Sequence, residues 1–213
     1  MKLLFKHGIL SFALLLLLTF LLIYLTDHYI LTVEFYENNG NPLSGIPEQD
    51  LSIYQALQKW VYVSSAVYLL MKLCVITLII HTALYLQNEE VSFRNVLKIT
   101  VIAEFVFLIP AAIKISCFYY TFEHASLLDW HKYYVFSALS LFSDVPADWF
   151  YALQSFNVFE IAYWFLLALG ISRISQLNYD QSLRLVVLSY VPGLLVWIAA
   201  VTFFTLIMFP ATG

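Results

Sequence analysis

Apolar residues along the chain fall into five long runs separated by more polar stretches. Each run is long enough for a membrane-crossing helix, which needs about 20 mostly apolar residues. The runs are Gly8 to Thr26, Trp60 to Gln87, Val96 to Thr121, Trp149 to Ile171 and Leu183 to Phe209. They predict an all-α polytopic membrane protein of five transmembrane helices with its termini on opposite sides. Lys2 and Lys6 ahead of the first run also fit a signal peptide, but no small-x-small cleavage site follows Leu25, so a retained helix is expected.

Two connections carry most of the polar mass, residues 27–59 and 122–148. In the first, Glu37-Asn-Asn-Gly-Asn-Pro42 is a turn cluster. Ile46-Pro47-Glu48 then opens a helix with Pro and acids in its first turn, and Leu51, Tyr54 and Leu57 mark one apolar face. In the second, Leu127, Leu128, Trp130, Tyr134, Ala138, Leu141 and Phe142 alternate with His131, Lys132, Ser137 and Ser140. This pattern predicts an amphipathic helix lying in the headgroup layer. Ser143-Asp144-Val145-Pro146 supplies its stop and the cap of the fourth run. Trp60, Trp130, Trp149 and Tyr151 fall where an aromatic belt would sit. With no internal repeat or linker, residues 1–213 read as one five-helix domain with short interfacial helices on its outer side.

Composition sharpens this picture. Of 213 residues, 62% are hydrophobic and 11% charged, against roughly 25% charged in a soluble domain. The excess apolar surface must face lipid, and a net charge of −4 argues against a nucleic-acid surface. Cys74 and Cys117 form no C-x-x-C pair, so neither a disulfide framework nor a zinc site is suggested. Lys2, Lys6, Arg94, Lys98, Arg173 and Arg184 flank one side of the runs, and Lys59 and Lys132 the other. By the positive-inside rule, the N-terminus is expected in the cytoplasm and Pro210 to Gly213 outside. Most acidic residues then collect on the outer side.

An ionisable side chain at mid-bilayer costs about 3 kcal/mol, so each one marks a site hypothesis. Lys72 and Glu160 fall halfway along their runs, Glu104 in the inner half, and Lys114 near the outer end, from which it can snorkel. Ser65 and Tyr68 flank Lys72 at helical spacing, and Gln154 and Asn157 flank Glu160, giving two polar stripes. One reading is a buried ion pair from Lys72 to Glu160 that fixes helix neighbours, with Glu104 protonated. Another is a proton or ion path through Lys72, Glu104 and Glu160. Pro110 and the Pro192-Gly193 pair should kink their helices, each proline freeing a carbonyl one turn earlier.

Other chemistry is weakly signalled. Glu123, His124, Asp129 and His131 are the one metal-like group, and their spacing lacks the one-turn separation of H-E-x-x-H, so a solvated interfacial face is expected. His81 reads as a packed or interfacial histidine. No G-x-S-x-G, H-E-x-x-H, phosphate-loop or dinucleotide motif occurs, and the inner loops are too short for a catalytic domain. No cofactor or metal is expected.

The loop Glu90-Val-Ser-Phe-Arg94-Asn-Val-Leu97, the helix with Pro110, Phe156-Asn-Val-Phe-Glu160, Leu166-Leu-Ala-Leu-Gly170-Ile-Ser-Arg173 and a last apolar helix together resemble the bacterial branch of the Yip-type family. Members are five-span proteins named for eukaryotic Ypt/Rab-interacting relatives. The resemblance covers about residues 60 to 209 and implies an all-helical membrane protein without catalytic residues, acting through partners. The chain departs from that pattern in having a short N-terminal tail and an inserted segment from Asp27 to Lys59. The expected function is a non-enzymatic accessory or scaffold protein binding another membrane component, with lipids and a membrane-protein partner or second copy as its contacts. The alternatives are a small transporter or channel subunit using Lys72, Glu104 and Glu160, and, last, a lipid-modifying enzyme using His124, Asp129 and His131.

Overall fold

In the computed structural model, residues 8–32, 35, 47–121, 127–142, 145–146 and 149–208 are described. Helix α1 (Gly8–Tyr29) is apolar around its whole circumference, the pattern that a membrane-crossing helix carries. Helix α2 (Pro47–Leu86) runs unbroken for 40 residues, about 60 Å at 1.5 Å per residue. The outer helix expected from residue 46 is therefore continuous with the apolar segment that follows it. Pro47 stands at the first helical position, where its missing N–H costs nothing. At the other end Asn88 adopts φ 59°, and Glu89 N donates to Leu84 O and Asn88 N to Tyr85 O, each at 3.0 Å. This is a Schellman closure with asparagine in the left-handed position.

The chain returns through α3 (Phe93–Glu104), a 3-10 turn (Phe105–Phe107) and α4 (Leu108–Thr121). The 3-10 turn stands just before Pro110, whose ring leaves the Val106 carbonyl without its usual N–H partner; Val106 O accepts from Leu108 N instead. The expected amphipathic helix over 127–142 is not continuous. It is α5 (Leu127–Lys132), a turn with Phe136 at φ 53°, and a 3-10 turn (Ala138–Leu141).

The expected fourth span, Trp149 to Ile171, is likewise divided into α6 (Phe150–Ser155) and α7 (Val158–Ile171). Both departures have one cause. Ala138 N donates to Phe156 O at 2.8 Å and Val158 N to Phe136 O at 3.1 Å, so the two breaks satisfy each other's backbone groups. Irregular backbone survives in an apolar setting only when it is paired in this way.

Helix α8 (Tyr179–Met208) completes the chain, with Pro192 inside it. Its start is a reciprocal cap: Gln181 N donates to Asn178 Oδ1 at 2.9 Å and Asn178 N to Gln181 Oε1 at 3.0 Å. Glu89 Oε2 accepts from Gln176 N at 2.9 Å, tying the two short loops at this end of the bundle.

Among the described residues, four helical segments are long and apolar enough to cross a membrane: Gly8–Tyr29, Ala56–Leu86, Phe93–Tyr120 and Tyr179–Ile207. Helix α7 has 14 residues, about 21 Å, which is shorter than the roughly 30 Å hydrocarbon core. Among the described residues there is no strand beyond an isolated bridge between Ser137 and Asn157. Helices α2, α3, α7 and α8 enclose the main core around Ile80, Ile99, Tyr163, Leu167 and Val186. Helix α1 packs on its flank through Leu15 against Leu69, Leu73 and Val101. Glycines set two close approaches. A Cβ on Gly170 would collide with the Ile99 side chain, and one on Gly193 would lie 2.9 Å from Ile79 Cδ1, the small-residue contact typical of membrane helices.

Several expected features lie outside the described residues: the Lys2 and Lys6 flank, the Glu37 to Pro42 turn, Glu123 and His124, the Ser143-Asp144 cap, and Pro210 to Gly213.

Candidate functional site

Helices α2 and α3 run antiparallel and touch through Thr77 and Thr100, whose hydroxyls are 3.2 Å apart. Each threonine also bonds the carbonyl four residues earlier, Leu73 at 2.6 Å and Val96 at 3.1 Å, so neither hydroxyl is wasted in an apolar wall. About one helical turn beyond this contact on each helix stand Lys72 and Glu104. Lys72 Nζ is 2.5 Å from Glu104 Oε1, 4.0 Å above the Phe107 ring and 5.8 Å from that of Tyr163.

The ion pair expected between Lys72 and Glu160 is therefore formed by Lys72 and Glu104. Glu160 has other partners. Helix α7 begins only at Val158, which puts Glu160 in its first turn, where the helix dipole favours a carboxylate. Its Oε1 accepts from Tyr190 Oη at 2.7 Å and from Trp164 Nε1 at 3.0 Å. Asn157 is the cap of α7 and not a member of a continuous polar stripe: its Oδ1 accepts from Glu160 N at 2.8 Å.

Glu104 and Glu160 are both buried. Among the described residues, Glu104 Oε2 and the hydroxyl of fully buried Tyr163 have no hydrogen-bond partner, although the two groups interact electrostatically. Tyr163 and Tyr190 meet with ring centroids 5.6 Å apart. Lys72, Glu104, Tyr163, Tyr190 and Glu160 thus form one polar cluster tying α2, α3, α7 and α8, in which two carboxylates face one ammonium.

Lys72 and Glu104 also close one end of a crevice of about 760 Å³ between α1, α2 and α4. Leu15, Leu22, Ile23, Leu69, Leu108 and Ala111 give it apolar walls, with Thr19, Ser65 and Tyr68 among them. Toward its far end lie Asp27, Gln58, Lys114 and Trp130. Asp27 Oδ2 accepts from Tyr62 Oη at 3.3 Å, and Gln58 Nε2 donates to Leu31 O at 3.0 Å. The Lys114 ammonium rests 4.1 Å from the Trp130 ring centre and 4.4 Å from that of Tyr134.

Pro110 and Pro192 line neither feature; Gly193 serves the α2–α8 approach. His81 packs edge-on against Phe93, 5.6 Å between centroids. Among the described residues no group of three or more metal-ligating side chains gathers. Sequence spacing gave no sign of Tyr163, Trp164, Tyr190 or the crevice, because buried aromatics in apolar runs look like any others. No protein-family model, no curated protein and no solved structure matches this chain.

Proposed function

We propose that the protein is a non-enzymatic accessory protein of a bacterial cytoplasmic membrane that holds another membrane component in the crevice between α1, α2 and α4. The crevice carries this reading. Its volume of about 760 Å³ falls within the roughly 300–1,000 Å³ of small-molecule sites, which are likewise apolar with a few placed polar groups. In this proposal α6 and α7 together make a fifth span, the break between them covered by residues 136–138. The N-terminus is cytoplasmic, following the Lys and Arg count, and kinship with the Yip-type family accounts for the architecture. The absence of nucleophile, phosphate and metal motifs supports a role without turnover.

The test is purification in gentle detergent with mass spectrometry of what accompanies the protein. A stoichiometric lipid or membrane-protein partner supports the proposal; turnover of a substrate by the purified protein alone overturns it.

A second reading is favoured by the surplus carboxylate in the Lys72, Glu104 and Glu160 cluster: a small transporter or channel subunit that moves protons or ions. Proteoliposome flux that disappears in a folded Glu160→Gln variant would establish it.

A further inference from the structure

Asp27 and Lys114 are opposite charges lining one crevice without pairing. Among the described residues no cation lies within 4.0 Å of Asp27, and no carboxylate lies that close to Lys114. They belong to the same end of the bundle, since Tyr29 on α1 meets Tyr119 on α4 edge-on at 5.8 Å. Each is positioned by a neighbour that leaves its charge in place. The Tyr62 hydroxyl holds one oxygen of Asp27, and the Trp130 and Tyr134 rings cradle the Lys114 ammonium through their π faces. Two fixed, unpaired charges of opposite sign are the complement of a zwitterion.

The rest of the crevice says what kind of zwitterion. From Lys114 to Glu104 is ten residues along one span, about 15 Å, and between them the wall is apolar, with Leu69, Leu108 and Ala111. An acyl chain is as apolar as this wall and packs against it without a desolvation cost, whereas a free polar zwitterion would leave hydrogen-bonding groups unmet along it. The second Asp27 oxygen has the lone pairs to accept an N–H, which a primary ammonium offers and a quaternary one lacks. The aromatic rings that would cage a quaternary group are occupied by Lys114.

We infer that the crevice holds one glycerophospholipid with a primary-amine head group, its phosphate at Lys114, its ammonium at Asp27 and one acyl chain along the wall toward Lys72. This rests on the proposed binding role of the crevice and names its occupant.

The experiment is native mass spectrometry of the delipidated full chain titrated with dioleoyl phosphatidylethanolamine, phosphatidylglycerol or phosphatidylcholine. The expected result is one phosphatidylethanolamine per chain, bound about tenfold more tightly than the other two, as one added charge-assisted contact gives. Asp27→Asn removes that preference and leaves phosphatidylglycerol unchanged. Lys114→Gln weakens all three, and Lys114→Arg, which keeps the charge, restores them. Equal binding of the three lipids, or a preference that survives Asp27→Asn, overturns the inference and leaves the crevice a less selective site. Lipid retained equally by a crevice-filling Ala111→Phe variant overturns the crevice reading beneath it as well.

Discussion

The Lys72 ammonium lies 2.5 Å from Glu104 Oε1 and 4.0 Å above the Phe107 ring, so the charge is neutralised on one side and covered on the other. Glu104 is 5% exposed, and its second oxygen has no hydrogen-bond partner among the described residues. The Lys72 side chain is 23% exposed, so the pair is part-buried; breaking it is still costly, because removing Lys72 strands the buried carboxylate, while replacing both by apolar groups is often neutral.

Lys72→Met alone is therefore expected to destabilise the protein by about 3 kcal/mol, and Glu104→Leu alone by a comparable amount. The double variant Lys72→Met/Glu104→Leu is expected to recover most of that loss. Thermal unfolding in detergent measures the cycle; simple additivity of the two losses would show that the pair is not coupled.

Glu160 depends on its own donors. Tyr190→Phe removes the 2.7 Å bond from a buried carboxylate and should cost about 1–3 kcal/mol. Trp164→Phe removes the longer of the two bonds and should cost less. The order of unfolding midpoints, wild type above Trp164→Phe above Tyr190→Phe, checks this; the reverse order contradicts it.

Asn157 is expected to behave as a helix cap. Asn157→Ala should lose about 1 kcal/mol, and Asn157→Ser, which keeps an acceptor for Glu160 N, should lose much less. Hydrogen exchange in the first turn of α7 is the direct readout. Equal protection in the two variants would show that the cap carries no weight.

At Gly170 a methyl group must displace the Ile99 side chain. Gly170→Ala should cost about 1–3 kcal/mol as overpacking. Combined with Ile99→Ala, it should cost less than the two single losses summed, because the new methyl fills part of the space Ile99 leaves. A double-mutant cycle in detergent measures the coupling, and a value of zero contradicts the close α3–α7 approach.

The long helices were legible in the sequence because continuous apolar runs have few alternatives in a chain with 11% charged residues. The partner of Lys72 was legible in principle. Residues 87–92 form a short turn between two antiparallel helices, and Lys72 and Glu104 stand at similar distances from it, whereas Glu160 belongs to a helix whose start was misplaced. That start was hidden because Phe156 and Asn157 sit inside an otherwise apolar run, and only the backbone pairing with Phe136 and Ala138 reveals the break. The same pairing explains why the alternation over 127–142 did not become one helix: periodicity records which residues are apolar, and not which carbonyls need a donor. Asp27 and Lys114 are 87 positions apart, and nothing local in the sequence announces that they line one crevice.

The most direct test of the binding role is native mass spectrometry of the protein purified in gentle detergent, comparing wild type with Ala111→Phe, which fills the crevice wall. The expected result is a one-to-one adduct on the wild type that the folded variant has lost. Identical spectra for the two proteins, with or without an adduct, would contradict it.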